Sequence, residues 1–170
     1  MKRVAFGTIL LVWLGSAGFS PGAAKVYIKA VQFAKAGQDH FAFMQYNNLL
    51  RSYPLSKYRD EALFALGEYY FQTLSLGKAE AAFVDYLDEN PDSQERMYAL
   101  AYLHSIAVKK GAPVEDIRRE IINFQQVSFI FRETKEITYR SPLYKNYRTV
   151  IHIDKIEFYV EGELFAQVSY

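Results

Sequence analysis

From Lys25 to about Gln126 the apolar positions recur at three- and four-residue intervals; beyond Gln126 they tend to alternate. Lys25 to Lys35 (KVYIKAVQFAK) sets Val26, Lys29, Ala30 and Phe33 on one helical stripe, with Gly37-Gln38 as its stop. A second helix is predicted over His40 to Ser52, with Phe41, Met44, Leu49 and Leu50 among its apolar positions. Tyr53-Pro54 closes it, because a residue before proline is pushed out of helical geometry. Asp60 or Glu61 opens a third helix, to about Thr73, and the Leu76-Gly77 turn leads into a fourth, Lys78 to Glu89, ended by Asn90-Pro91. After a fifth helical stretch, a sixth helix from Pro113 to Gln126 follows Gly111. Val127 to Arg132, Glu136 to Arg140, Tyr147 to Ile153 and Ile156 to Val160 then read as strands, rich in branched and aromatic residues. Ser141-Pro142 breaks that segment, and Glu161-Gly162 predicts a hairpin in which glycine supplies a positive φ before Glu163 to Ser169. The expected fold is mostly α, a solenoid of α-hairpins followed by a small antiparallel sheet or hairpin.

The helical part repeats itself. Tyr46–Ser56 (YNNLLRSYPLS) and Phe83–Ser93 (FVDYLDENPDS) align at an offset of 37 residues, each placing proline and serine at matching positions behind an aromatic. Phe33 and Tyr70, Ala42 and Ala79, and Ala62 and Ala99 pair at the same offset. A period in this range marks stacked helical hairpins rather than a catalytic globule, and such arrays bind other chains. The expected division is a leader over 1–24, helical units near 25–59, 60–93 and 94–126, and a β-rich segment over 127–170. That last segment is small to stand alone, and packing on the last helical hairpin is one source of core for it. A shortened sheet domain, or one completed by a partner strand, is left open.

In the second unit Leu63, Leu66, Gly67, Tyr70, Ala79, Phe83 and Pro91 fall where the tetratricopeptide pattern has its defining residues, with Pro54 matching Pro91 in the unit before. Small Gly67 and Ala79 let two antiparallel helices approach, and Tyr70 and Phe83 fill the space between them. The chain thus resembles tetratricopeptide-repeat proteins over roughly Lys25 to Lys110. The stretch YPLSKYRDEALFALGEYYF is similar to periplasmic members of Gram-negative bacteria, of the outer-membrane assembly lipoprotein and TolA-binding cell-division coordinator type. The resemblance implies a protein-binding adaptor whose first helices line a concave groove. It places Glu61, Phe64, Glu68 and Phe71 on that groove from one unit, and Tyr98, Ala101, Ser105 and Val108 from the next. Phe64 and Phe71 equally suit packing between units, since three repeats give little concavity.

The N-terminus carries a different signal. Lys2 and Arg3 precede an apolar run, Val4 to Leu14, followed by small residues through Ala24, the layout of a secretory signal peptide. Cleavage after Ala17 or after Ala24 both suit the small-residue rule. The expected location is periplasmic or secreted, with membrane contact only through an uncleaved leader or a partner. The absence of cysteine excludes disulfides, thiolate metal sites, a cysteine nucleophile and lipoprotein anchoring.

Charge narrows the partners. Basic and acidic residues number 20 and 19, so no polyanion is implied and no nucleic acid is expected as a partner. Lys109, Lys110, Arg118 and Arg119 make at most a small basic patch. His40, His104 and His152 lack metal-ligand spacing, and Asp85, Asp88 and Glu89, like Glu115, Asp116 and Glu120, read as solvated helix faces. No phosphate loop or nucleophile elbow occurs, so neither catalysis, a metal nor a cofactor is expected. The leading expectation is an envelope adaptor binding another protein or a peptide segment. The alternatives are a glycan- or cell-wall-binding module using Tyr139, Tyr144, Tyr147, Phe158 and Tyr159, or a structural subunit of an envelope complex.

Overall fold

The computed structural model describes residues 20–91, 93, 95–125 and 135–170. Most of the expected leader and the expected strand Val127 to Arg132 lie outside the described residues. Six helices come first: α1 (Pro21–Lys35), α2 (Asp39–Ser52), α3 (Arg59–Gln72), α4 (Leu76–Glu89), α5 (Arg96–Lys110) and α6 (Glu115–Gln125). Four strands follow: β1 (Lys135–Arg140), β2 (Asn146–Ile151), β3 (Lys155–Val160) and β4 (Glu163–Ser169).

Helix α1 begins before Lys25, at Pro21, because Ser20 caps it: the Ser20 hydroxyl oxygen accepts from the Ala23 amide at 3.4 Å. Proline at the first helical position forfeits only an N–H that has no helical partner. Helices α1 and α2 pack as one hairpin, α3 and α4 as a second, and α5 with α6 as a third, each stacked on the one before. Arg59 and Arg96 open α3 and α5, and Asp39 and Leu76 open α2 and α4, at the 37-residue step read in the sequence. Pairs at that step share their environments: Ala42 and Ala79, Tyr46 and Phe83, and Ala62 and Ala99 are all fully buried.

The serine of the repeat has a structural task. The Ser56 hydroxyl oxygen accepts from the Tyr58 amide at 3.2 Å, and that of Ser93 from the Glu95 amide at 3.1 Å. Each closes the turn that feeds the next hairpin, a local bond that competes with continued helix. Gly67 allows the close approach expected of it, since a Cβ there would lie 2.7 Å from the Phe83 ring. Gly111 ends α5 in the left-handed region, at φ 65°.

The strands form a four-stranded antiparallel meander in the order β1-β2-β3-β4. Glu161 and Gly162, at φ 50° and 85°, make the β3–β4 turn. Tyr147, Thr149, Ile151, Ile156, Phe158 and Val168 are buried on the sheet's inner side. All of these but Thr149 share one hydrophobic core with Leu63, Phe64, Phe83, Met97, Tyr98, Tyr102 and Ile121 of the helices. The β-rich segment is therefore not an appendage on the last hairpin alone. It lies across α3 and α5, and its β1–β2 loop reaches the first hairpin, where the Tyr46 hydroxyl donates to the Pro142 carbonyl at 3.0 Å.

Candidate functional site

The surface that the sequence offers as a groove is filled by the chain's own sheet. Phe64 of α3 is 1% exposed, edge-on to Tyr139 of β1 and Tyr147 of β2, with ring centroids 5.8 and 6.4 Å away. Tyr98 of α5 is also 1% exposed and stacks on Tyr139 at 5.2 Å. Glu68 and Ser105 are buried as well, and Phe71 is half-buried against Tyr102. Phe64, Glu68, Tyr98, Ala101 and Ser105 are thus corrected from groove to core; of the eight positions Val108 is exposed and Glu61, like Phe71, is half-buried. The physical reason is readable in α5. Met97 to Ala107 holds no aspartate, glutamate, lysine or arginine, and all eleven positions, His104 included, are buried. A helix apolar on every side must be covered on every side, and the sheet supplies the missing cover.

The same packing redistributes the C-terminal aromatics. Tyr147 and Phe158 are core residues, at 1% and 0% exposure, so they offer no face to a sugar. Tyr144 is flanked by the Lys35 ammonium at 5.1 Å, and Tyr159 lies under the Arg148 guanidinium at 4.5 Å. No continuous aromatic platform is formed by these five rings.

At the centre of the helix–sheet junction sits a buried polar chain. The Tyr147 hydroxyl donates to Glu68 Oε1 at 2.6 Å, and the Tyr102 hydroxyl is hydrogen-bonded to that of Tyr147. Burial pushes the Glu68 carboxyl up to about 7, against opposing help from Tyr147, Ser141, the Leu143 amide and Lys145. Its Oε2 has no hydrogen bond of good geometry, although Ser141 and the Leu143 amide lie near enough to favour the anion. The tyrosines around it are held well above their ordinary range, by burial first.

What stays open is a crevice between the leading ends of α3 and α5 and the end of β1. It encloses about 340 Å³ and is lined by the carboxylates of Asp60, Glu61 and Glu95, the Lys57 ammonium, and the rings of Phe64 and Tyr139. An adjoining hollow of about 330 Å³ shares Glu61, Glu95 and Tyr139 and is walled by Tyr27 and Tyr144. Burial raises the Glu61 carboxyl, with Asp60 and Glu95 adding to the shift and its own backbone amide and Lys57 opposing it, and its Oε2 is enclosed without a hydrogen-bond partner. Ser93 links the Tyr86 hydroxyl, at 2.9 Å, to the Glu95 carboxylate. Three carboxylates against the single Lys57 ammonium in the crevice leave a net negative lining, which favours a cationic or hydrogen-bond-donating group lying against aromatic faces. Glu95 carries no signal in the sequence and Tyr139 stands there only among the candidate sugar-binding rings, since neither belongs to the repeat pattern and the crevice exists only once the sheet docks.

The histidines stand apart: His40 Nδ1 pairs with the Tyr69 hydroxyl at 2.7 Å, His152 Nε2 with Glu157 at 2.9 Å, and His104 is buried in α5. Among the described residues no three metal-ligating side chains gather, and no helix is long and apolar enough to cross a membrane. Lys110, Arg118 and Arg119 pair with Glu80, Glu115 and Asp116, so the expected basic patch is largely neutralised. No protein-family model matches the chain, and no curated protein matches it in sequence.

Proposed function

We propose that the chain is a non-catalytic binding adaptor of the bacterial cell envelope, exported by its N-terminal leader, that holds a basic peptide segment of another protein. One observation carries this reading: the crevice beside Phe64 places Glu61, with an enclosed and unpartnered carboxylate oxygen, among Glu95, Asp60 and the Tyr139 ring. Lys57 offsets only part of that negative charge, so a lysine or arginine entering there relieves the remaining repulsion of the carboxylates and lies along aromatic faces. The stacked hairpins support the tetratricopeptide-type assignment by their 37-residue step, and arrays of that kind bind other chains, here at the crevice left open beside the docked sheet. The reading needs no cofactor and no nucleic acid.

Selection of a random peptide display library on the folded protein tests it, with the Glu61→Gln/Glu95→Gln variant as the counter-target. Peptides rich in lysine or arginine are expected to enrich on the wild type and to lose binding to the variant, whose thermal unfolding is checked in parallel. No enrichment, or peptides that bind both proteins equally, contradicts the proposal.

A further inference from the structure

Glu68 is a carboxyl group enclosed on every side, on a helix face that meets the sheet. Each element around it offers something, and none offers a full countercharge in contact. From α2 comes Tyr46, from α5 Tyr102, from β1 Tyr139 and from β2 Tyr147. The β1–β2 loop brings Ser141, the Leu143 amide and Lys145, whose ammonium is held at 2.8 Å by Asp39 of α2. No ion pair among the described residues reaches Glu68. Tyr147, Ser141 and the Leu143 amide favour the anion, but without a contacting cation they do not offset its complete burial, and the cheaper state is the neutral acid, with Oε1 still accepting from Tyr147.

We infer that docking of the sheet onto the helices takes up one proton at Glu68, so that the helix–sheet junction is a proton-linked latch. With the sheet undocked Glu68 meets water and loses its proton at its ordinary value of 4.5; docked, it holds the proton to about 7. A group raised in the closed state favours that state fully below the lower value and loses the advantage as pH rises to the upper one. Opening therefore grows about tenfold per pH unit between those limits and levels off above them. The open form exposes Phe64, Tyr98 and Phe158, the aromatic faces now closed against one another.

The test is amide hydrogen exchange of β2 and β3 in the full chain between pH 5 and 8, corrected for intrinsic rates. The wild type is expected to show an opening constant that rises about tenfold per unit and flattens near neutrality. Glu68→Gln keeps the shape and hydrogen bonding of the neutral acid, and is expected to give the same protection at pH 5 with that rise removed. Tyr147→Phe deletes a donor that favours the anion, so its levelling point should move to higher pH, which a merely structural role would not produce. A wild-type profile that matches Glu68→Gln at every pH overturns the latch.

Discussion

The Tyr147 hydroxyl on β2 donates to Glu68 Oε1 on α3 at 2.6 Å, across a sequence separation of 79 residues. This contact ties the sheet to the middle hairpin, and Tyr102 of α5 completes the chain. Tyr147→Phe keeps the ring and its edge-on contacts with Phe64 and Tyr98 but strips both neighbours of a partner. Leaving buried polar groups unsatisfied costs about 1–3 kcal/mol. Denaturant unfolding at pH 5 should report a loss in that range with an unchanged slope; a loss near zero would mean that water reaches the junction.

Gly67 sets the spacing of the second hairpin. A Cβ there would meet the Phe83 ring at 2.7 Å, and that ring cannot retreat, being fully buried and stacked on Tyr102 at 4.6 Å. Gly67→Ala gains about 1 kcal/mol of helix propensity and costs about 1–3 kcal/mol of overpacking. The expected outcome is a lower melting temperature. A rise would show that the two helices part easily.

Ser56 and Ser93 repeat one turn, yet Ser93 carries more. Its hydroxyl also joins Tyr86 and Glu95, whereas among the described residues that of Ser56 bonds the Tyr58 amide alone. Ser56→Ala should cost about 1 kcal/mol, and Ser93→Ala measurably more. Equal losses in chemical denaturation would dismiss the Ser93 network as unimportant.

Ser20 to Ala24 form the capped first turn of α1, with Ala23 fully buried. Cleavage of the proposed leader after Ala24 would remove that turn, whereas cleavage after Ala17 leaves it whole. Mass spectrometry of the exported protein is expected to find Gly18 at the N-terminus; Lys25 there would mean that the mature hairpin starts without its cap.

Much of the architecture was legible because local chemistry dictates it. Pro54 and Pro91 stop helices wherever they stand, Gly162 permits a tight turn, and the Ala42, Ala79 and Gly67 positions announce close helix pairs. The site was less legible. Phe64 and Tyr98 are large aromatics on first helices, the residue type that lines a groove and equally fills a core. Deciding between them required knowing that Tyr139, Tyr147 and Phe158 return to cover them, a contact no local pattern encodes. One signal was present and unused: the uncharged run around Leu100 to Leu103 in α5, too apolar for a helix with a solvent-facing side. Glu68 misled for the complementary reason, since a carboxylate on a helix ordinarily marks a wet face.

The crevice and the latch both require the sheet to cover Phe64 of α3 and Tyr98 of α5. Nuclear Overhauser contacts between the rings of Tyr98 and Tyr139, whose centroids lie 5.2 Å apart, measure this most directly. Strong cross-peaks between those rings in the full chain at pH 5 are predicted. Their absence, with Tyr98 ring protons at the shifts of a solvated tyrosine, would contradict it and return Phe64 and Tyr98 to an open groove.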